Sequence, residues 1–214
     1  MPFKILIADD HAVVRDGLKM ILESHKDLVV VGTAVNGNDA VEQAVALHPD
    51  VILMDIAMPE LNGIEALRII AERVPSARVI ILSMHNTNEH VFRAVQAGAR
   101  GYILKESAGS HAVKAIGAVM KGHEYYCDDI DILSLRRAFS ARSTQQSPLD
   151  SLSSREREVL QLVVEGKTSL EISGILALSP KSVETYRSRL MLKLGITNIP
   201  ALVKFALQHG ITPI

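Results

Sequence analysis

Val51-Ile52-Leu53-Met54-Asp55 and Val79-Ile80-Ile81-Leu82-Ser83 decide the fold. Each is an unbroken apolar run ending on one polar residue. A strand with one wet face alternates apolar and polar residues, whereas a strand covered on both faces does not. Three further short runs lie at 5–8, 28–33 and 101–104, and segments of helical period lie between them at 13–22, 39–47, 64–73 and 91–97, with 111–120 following the last run. His48-Pro49, Val74-Pro75 and Gly98 punctuate the helices. The pattern predicts an α/β domain, a doubly wound five-stranded parallel sheet with helices on both faces.

Near residue 121 the strand pattern ceases. Residues 129–139 have helical composition, and 140–150 (SARSTQQSPLD) are polar with few core candidates, as in a linker. The organisation expected is a first domain over 1–121, a partly helical linker over 122–147, and an all-α four-helix domain over 148–214. Ser153-x-x-Glu156 and Thr168-x-x-Glu171 are capping boxes, opening helices that carry Val159, Leu160, Leu162 and Val163, then Ile172, Ile175 and Leu176. Ser179-Pro180 supplies an N-cap and a first-turn proline for a third helix, with Val183, Leu190 and Leu194 inward. Asn198 caps a fourth helix that runs to Gln208 and stops near Gly210. Two short turns followed by a basic helix are the sequence form of a groove-reading helix-turn-helix.

Charge divides the same way. The chain has a formal net charge of −1, but residues 1–120 carry 11 Lys+Arg against 14 Asp+Glu. Residues 181–204 carry Lys181, Arg187, Arg189, Lys193 and Lys204 against Glu184 alone. An acidic front suits a metal or phosphate-handling site, and a basic end suits a polyanion. The lone Cys127 excludes an internal disulfide. No stretch approaches the roughly 18 apolar residues of a membrane span, and the short run before Asp9 is no signal-peptide core. A soluble, cytoplasmic protein with no membrane partner is expected.

In open parallel sheets chemistry gathers at the carboxyl ends of the strands. There the sequence places Asp9 and Asp10, Asp55, Ser83 and Lys105. At ~5 Å and an effective dielectric near 20, each carboxylate pair repels by about 3 kcal/mol, so a cation must hold them ionised. Oxygen ligands open to solvent favour Mg2+, which can offset charge on a transferring phosphoryl group while one Asp attacks phosphorus. Lys105 and the Ser83 hydroxyl would hold the other phosphoryl oxygens. His11, beside the acidic pair, is read as a solvated loop residue, with a ligand or phosphodonor role as the alternative.

ILIADDHAVVRDGL (5–18), VILMDIAMPELNGIEAL (51–67) and GARGYILK (98–105) resemble the receiver domain of bacterial response regulators, in the subclass typified by NarL and FixJ. The resemblance implies a flavodoxin-like receiver with Asp55 as phosphoacceptor. It implies Mg2+ held by Asp10, Asp55 and the Ala57 carbonyl, with Asp9 acting through water. Ser83 matches the switch hydroxyl, Lys105 the invariant lysine, and Tyr102 the aromatic switch residue whose ring turns inward. Ala57 and His85 match the variable positions beside the phosphate, and Glu106 stands where many receivers have Pro.

LSSREREVLQLVVEGKTSLEISGIL (152–176) and LSPKSVETYRSRLMLKLGI (178–196) resemble the LuxR-type helix-turn-helix. Glu184, Thr185 and Ser188 would face base edges in the major groove, while Lys181, Arg187, Arg189, Lys193 and the helix start at Thr168 suit phosphates. The family often has Lys at the position of Glu184 and His at that of Tyr186, so base preference does not transfer.

The implied function is transcriptional regulation in a two-component system. A sensor histidine kinase phosphorylates Asp55, and promoter DNA is bound by a homodimer that pairs through the last helix around Leu202 and Phe205. An enzyme of the haloacid dehalogenase type needs a second acid two residues after its nucleophile, where this chain has Ala57. A ligand-sensing LuxR regulator would have an apolar pocket in place of the acidic set. A regulator whose helix-turn-helix is vestigial would show no salt-dependent DNA binding.

Overall fold

The structure is a computed structural model describing residues 1–84, 87–127, 130, 132 and 148–211. It divides into two compact units, Met1–Phe139 and Ser140–Ile214. All but residues 130 and 132 of the helix expected over 129–139, most of the expected linker and His85 lie outside the described residues.

The first unit alternates β1 (Phe3–Ala8), α1 (Ala12–Glu23), β2 (Leu28–Ala34), α2 (Gly37–Leu47), β3 (Val51–Asp55), α3 (Gly63–Arg73), β4 (Arg78–Ser83), α4 (Asn88–Ala97), β5 (Gly101–Leu104), α5 (Ala108–Met120) and β6 (Tyr125–Tyr126). All the pairings are parallel and the strand order is β2-β1-β3-β4-β5-β6. The sixth strand departs from the five expected. Tyr125 and Tyr126 pair with Gly101 and Tyr102, and a two-residue edge strand is too short to display a period. The expected boundary at residue 121 is likewise too early, because Cys127 and Ile130 are buried in the core of this unit.

The unbroken apolar runs are explained by two cores, one on each face of the sheet. Leu6, Ile52, Met54, Val79, Ile81 and Tyr102 point to one side, packed on residues of α2, α3 and α4. Ile5, Ile7, Leu53, Ile80, Leu82 and Ile103 point to the other, packed on α1 and α5. Successive side chains in a strand alternate faces, so only a doubly covered strand can be apolar at every position. The helices α2, α4 and α5 begin two or three residues before their apolar pattern does, because the first turn of a helix need not carry the apolar period. At α2, Asn36 caps that turn by accepting from the Asp39 N–H.

The order reverses direction between β1 and β3, the switch point where such sheets bind ligands. Asp9 follows β1 directly and Asp55 ends β3. Gly63, the first residue of α3, lets the two backbones close, since a Cβ there would fall 1.9 Å from the Asp55 carbonyl oxygen. Asn62 caps the same helix by accepting from the N–H groups of Ile64 and Glu65.

The second unit comprises α6 (Ser154–Val164), α7 (Ser169–Ile175), α8 (Pro180–Leu194) and α9 (Ile199–Gln208), preceded by a 3-10 turn at Pro148–Ser151. Both capping boxes form, at Ser153/Glu156 and Thr168/Glu171, and Ser179 and Asn198 cap α8 and α9. Leu149, Leu160, Leu162, Ile172, Val183, Leu190 and Leu202 make its core. Leu194 packs on that core half-buried, whereas Ile175 faces outward. Among the described residues no single helix is long and apolar enough to cross a membrane.

Candidate acidic site and nucleic-acid interface

Beyond the carboxyl ends of the strands, Asp9, Asp10, Asp55 and Lys105 meet in one notch. Lys105 Nζ lies 2.8 Å from Asp9 Oδ2 and 2.8 Å from Asp55 Oδ2. The Asp9 and Asp55 side chains are buried, while that of Asp10 is partly exposed. Asp9 is held from two sides: its Oδ1 accepts from the His11 N–H at 2.9 Å, and its carbonyl accepts from Arg15 Nη1 at 2.7 Å. The Ala57 N–H donates to the Asp55 carboxylate.

Burial is the largest influence on Asp55 and pushes its carboxyl up to about 6, aided by the charge of Asp9 and opposed by Lys105 and the Ala57 N–H. For Lys105 burial works against the charged form, yet the two carboxylates outweigh it and hold the ammonium above its ordinary value. Three carboxylates against one ammonium leave an excess of negative charge, which a divalent cation would offset. One donor atom from each of Asp9, Asp10, His11 and Asp55 lies within 4.8 Å of all the others, a spacing that fits a single ion. The residues present therefore suit the Mg2+ of a receiver's acidic pocket.

Ser83 ends β4 and is buried beside this notch. Its hydroxyl shares a hydrogen bond with that of Tyr102. The Tyr102 ring is fully buried, so the inward position is the one present, and burial pushes its phenol well above the ordinary range. Sequence reasoning missed two supports of the site, Gly63 and Arg15, and preferred for His11 a solvated loop position over a role at the acids. Gly63 acts through a close backbone approach and Arg15 by donating to a backbone carbonyl, and neither marks itself in the sequence. His11 turns its ring into the acids, with Nδ1 2.6 Å from Asp10 Oδ1 and 3.2 Å from Asp9 Oδ1. The adjacent string Asp9-Asp10-His11 was its only signal.

In the second unit, Lys181, Glu184, Thr185, Ser188 and Arg189 are exposed on α8. Several of the residues named for DNA also have partners inside the unit. Ser169 Oγ donates to Glu184, and Arg187 Nη2 stands 3.6 Å from the same carboxylate. Thr185 Oγ1 donates to the Lys181 carbonyl, and the Thr168 hydroxyl is engaged in its capping box. Lys193 Nζ lies 2.7 Å from the buried Glu156, tying α8 to the start of α6. The expectation for Leu202 is corrected: it is fully buried in the unit's own core and has no surface to offer a second subunit. Its spacing satisfied an inward stripe as well as an outward one. Phe205 is half-buried, its ring 4.3 Å from that of His209.

Residues 5–117 match the response regulator receiver domain, and residues 150–206 match the bacterial regulatory proteins of the luxR family. The chain is 40% identical over 211 residues to the oxygen regulatory protein NreC of Staphylococcus aureus, covering 96% of this chain and 97% of that one. It is 38% identical over 209 residues to the transcriptional regulatory protein MctR of Rhizobium johnstonii, covering 97% and 94%. Among solved structures it is similar to the Salmonella typhimurium response regulator RcsB, with a TM-score of 0.65 at 28% identity over 97% of this chain and 98% of that one. A complex of RcsB with DNA superposes with a TM-score of 0.58, also at 28% identity, over 98% and 99%. With its acidic notch at the sheet's switch point and its capped helix-turn-helix, the chain belongs to the NarL/FixJ-type bacterial response regulators, phosphorylation-controlled transcription factors that join a receiver to a LuxR-type DNA-binding domain.

Proposed function

We propose that Asp55 is the phosphoacceptor, that a sensor histidine kinase is the donor, and that phosphorylation controls binding of promoter DNA by a homodimer. The observation that carries this reading is the meeting of Asp9, Asp10, Asp55 and Lys105 in one notch. An oxygen of Asp55 attacks phosphorus, the P–N bond to the kinase's histidine breaks, and its electron pair stays on the imidazole. Asp10, Asp55 and the Ala57 carbonyl would hold Mg2+, with Asp9 acting through water, and the bound ion would offset the negative charge of the transferring group. Lys105 holds Asp55 from one side before transfer and a phosphoryl oxygen after it.

Ser83 couples the site to the rest of the receiver. Its hydroxyl is shared with Tyr102, and a phosphoryl oxygen on Asp55 competes for it. Tyr102 is packed in the core beneath α4, so a change of partner at Ser83 biases that face of the sheet between two packings. The receiver extends past residue 121 through β6 and Cys127, followed by a linker that ends at 147 and the DNA-binding domain at 148–214.

On DNA, Glu184, Thr185 and Ser188 face base edges. Lys181, Arg187, Arg189, Lys193 and the start of α7 at Thr168 face phosphates. Lys193 serves there only in so far as its partner Glu156 releases it. RcsB is known as dimers bound to DNA, which supports pairing on two half-sites here, through the exposed side of α9 and Phe205. A protein that meets a kinase and DNA works in the cytoplasm.

The test combines labelling with selection of bound DNA. Acetyl phosphate with Mg2+ labels the wild type and enriches one family of DNA fragments. Asp55→Asn takes no label and loses the phosphodonor-dependent enrichment. Labelling that persists in Asp55→Asn would reject the assignment.

A further inference from the structure

Residues 125–127 lie along the β5 edge of the sheet as a short strap. The Tyr125 N–H donates to the Arg100 carbonyl at 3.0 Å, and the Cys127 N–H donates to the Tyr102 carbonyl at 3.3 Å. The strap is anchored on both faces of the sheet. Tyr125 packs on the core shared with α1 and α5, and its hydroxyl lies 2.6 Å from His111 Nδ1 of α5. Tyr126 and Cys127 pack on the opposite core, the one that holds Tyr102. Gly101 lets the strap lie close, since a Cβ there would stand 3.0 Å from the Tyr125 carbonyl oxygen.

Tyr102 therefore has two attachments. Its hydroxyl shares a hydrogen bond with Ser83 beside the acidic notch, and its carbonyl holds the strap. A phosphoryl oxygen that takes the Ser83 hydroxyl loosens the hold on the buried phenol. Weakening the bonding of a buried polar group costs about as much as one or two ordinary hydrogen bonds contribute. The hold on a two-residue strand is of that order, so it is the part of the sheet most easily given up. We propose that residues 125–127 are a phosphorylation-released strap: with Asp55 as phosphoacceptor, transfer to it loosens Tyr102 and detaches the strap from β5, exposing Cys127 and freeing the chain that follows toward the helix-turn-helix.

Cys127 is the chain's only cysteine and is 3% exposed, so its alkylation reports strap opening with no added probe. The full chain is treated with iodoacetamide in Mg2+, with and without acetyl phosphate, as wild type and Asp55→Asn. Without donor, alkylation should be far slower than in the urea-unfolded chain. Acetyl phosphate should speed it about tenfold or more in the wild type and leave Asp55→Asn unchanged. Hydrogen exchange separates local release from general loosening: the Tyr125 and Cys127 N–H groups should lose protection while those of β1 and β3 keep theirs. Gly101→Ala pushes the strap away, and Tyr125→Phe removes the bond to His111 while keeping the ring. Either should speed alkylation in the absence of donor, and the milder Tyr125→Phe decides the point if the first variant does not fold. A wild type labelled at Asp55 whose Cys127 stays unreactive overturns the strap and leaves the phosphoacceptor in place, as does loss of protection throughout the receiver. A wild type that takes no label removes Asp55 as phosphoacceptor, and the release with it.

Discussion

Lys105 Nζ and Asp55 Oδ2 lie 2.8 Å apart, with the lysine side chain only 7% exposed and the carboxylate buried. The same ammonium reaches Asp9 at 2.8 Å, so one cation serves two carboxylates that water cannot screen. Removing one partner of a buried pair costs about 3–5 kcal/mol because the other is left uncompensated. Lys105→Met should therefore destabilise the receiver by about that much in EDTA, and saturating Mg2+ should recover a large part of the loss. Denaturation in the two conditions decides it. A variant as stable as wild type in EDTA would mean that the two acids are not held ionised by Lys105.

The raised carboxyl of Asp55 gives metal-free stability a pH dependence of unusual sign. Its value moves from 3.8 to about 6, so the native form binds the proton more tightly than the unfolded chain does. Across that window the native state holds more protons, and stability falls as pH rises. Two pKa units correspond to about 3 kcal/mol, lost progressively from near pH 4 to above pH 6. Asp55→Asn removes this dependence. In EDTA the stability difference between Asn variant and wild type should shift in favour of Asn by up to about 3 kcal/mol between pH 4 and 7. A difference that stays flat over this range contradicts the desolvated state of Asp55.

The fold and the acidic set were legible because their signals are local and repeated. Strands buried on both faces read as unbroken apolar runs, and the polar residue ending each run marks the functional edge of the sheet. Caps were legible too, since Ser153, Thr168, Ser179 and Asn198 act within three residues of themselves. What escaped depends on distance or length. Tyr125–Tyr126 is too short for a period, and Cys127 reads as linker until β6 carries it back to the core. Gly63 matters through a backbone eight positions earlier. Leu202 and Lys193 show the remaining ambiguity: an apolar residue on an amphipathic helix and a basic residue on a basic helix each have an inward and an outward reading. Here packing resolved Leu202 inward and tied Lys193 to Glu156.

Glu156 is the residue on which the second unit's internal ties converge. Its Oε2 accepts from the Ser153 N–H at 2.7 Å and from the Ser153 hydroxyl at 3.0 Å, and it pairs with Lys193 at 2.7 Å. Burial would raise its carboxyl, but the hydrogen bonds from Lys193 and Ser153 outweigh it and hold the group below the ordinary Glu range. Such a carboxylate adds stability above that range and loses it as pH falls through its native value. Glu156→Ala should cost about 2–3 kcal/mol, a lost cap plus a lost charged hydrogen bond. Glu156→Gln keeps an acceptor for the cap and should cost less, with its deficit closing on acidification. Urea unfolding of the second unit's transition, followed by helical circular dichroism, measures all three, and an Ala variant within error of wild type would refute the tie.

The basic face of α8 makes a last prediction, about salt. Each phosphate neutralised releases counterions, so the slope of log affinity against log salt counts the contacts. Arg189 is exposed, and Arg189→Ala should weaken all DNA sequences alike and lower the slope by about 1. Glu184 should act in the opposite sense. Its carboxylate accepts from Ser169 and stands 3.6 Å from Arg187, so under the proposed docking it would hold that guanidinium back from phosphate. Glu184→Gln removes a repelled charge and releases Arg187, so non-specific affinity should rise and the slope steepen by up to about 1. If Glu184 also accepts from a cytosine amino group, the same variant should lose discrimination at one base pair of the selected site while gaining affinity elsewhere. Fluorescence anisotropy on selected and scrambled duplexes over a range of salt separates the two effects. Glu184→Gln binding both duplexes with wild-type slope and affinity would place Glu184 outside the interface.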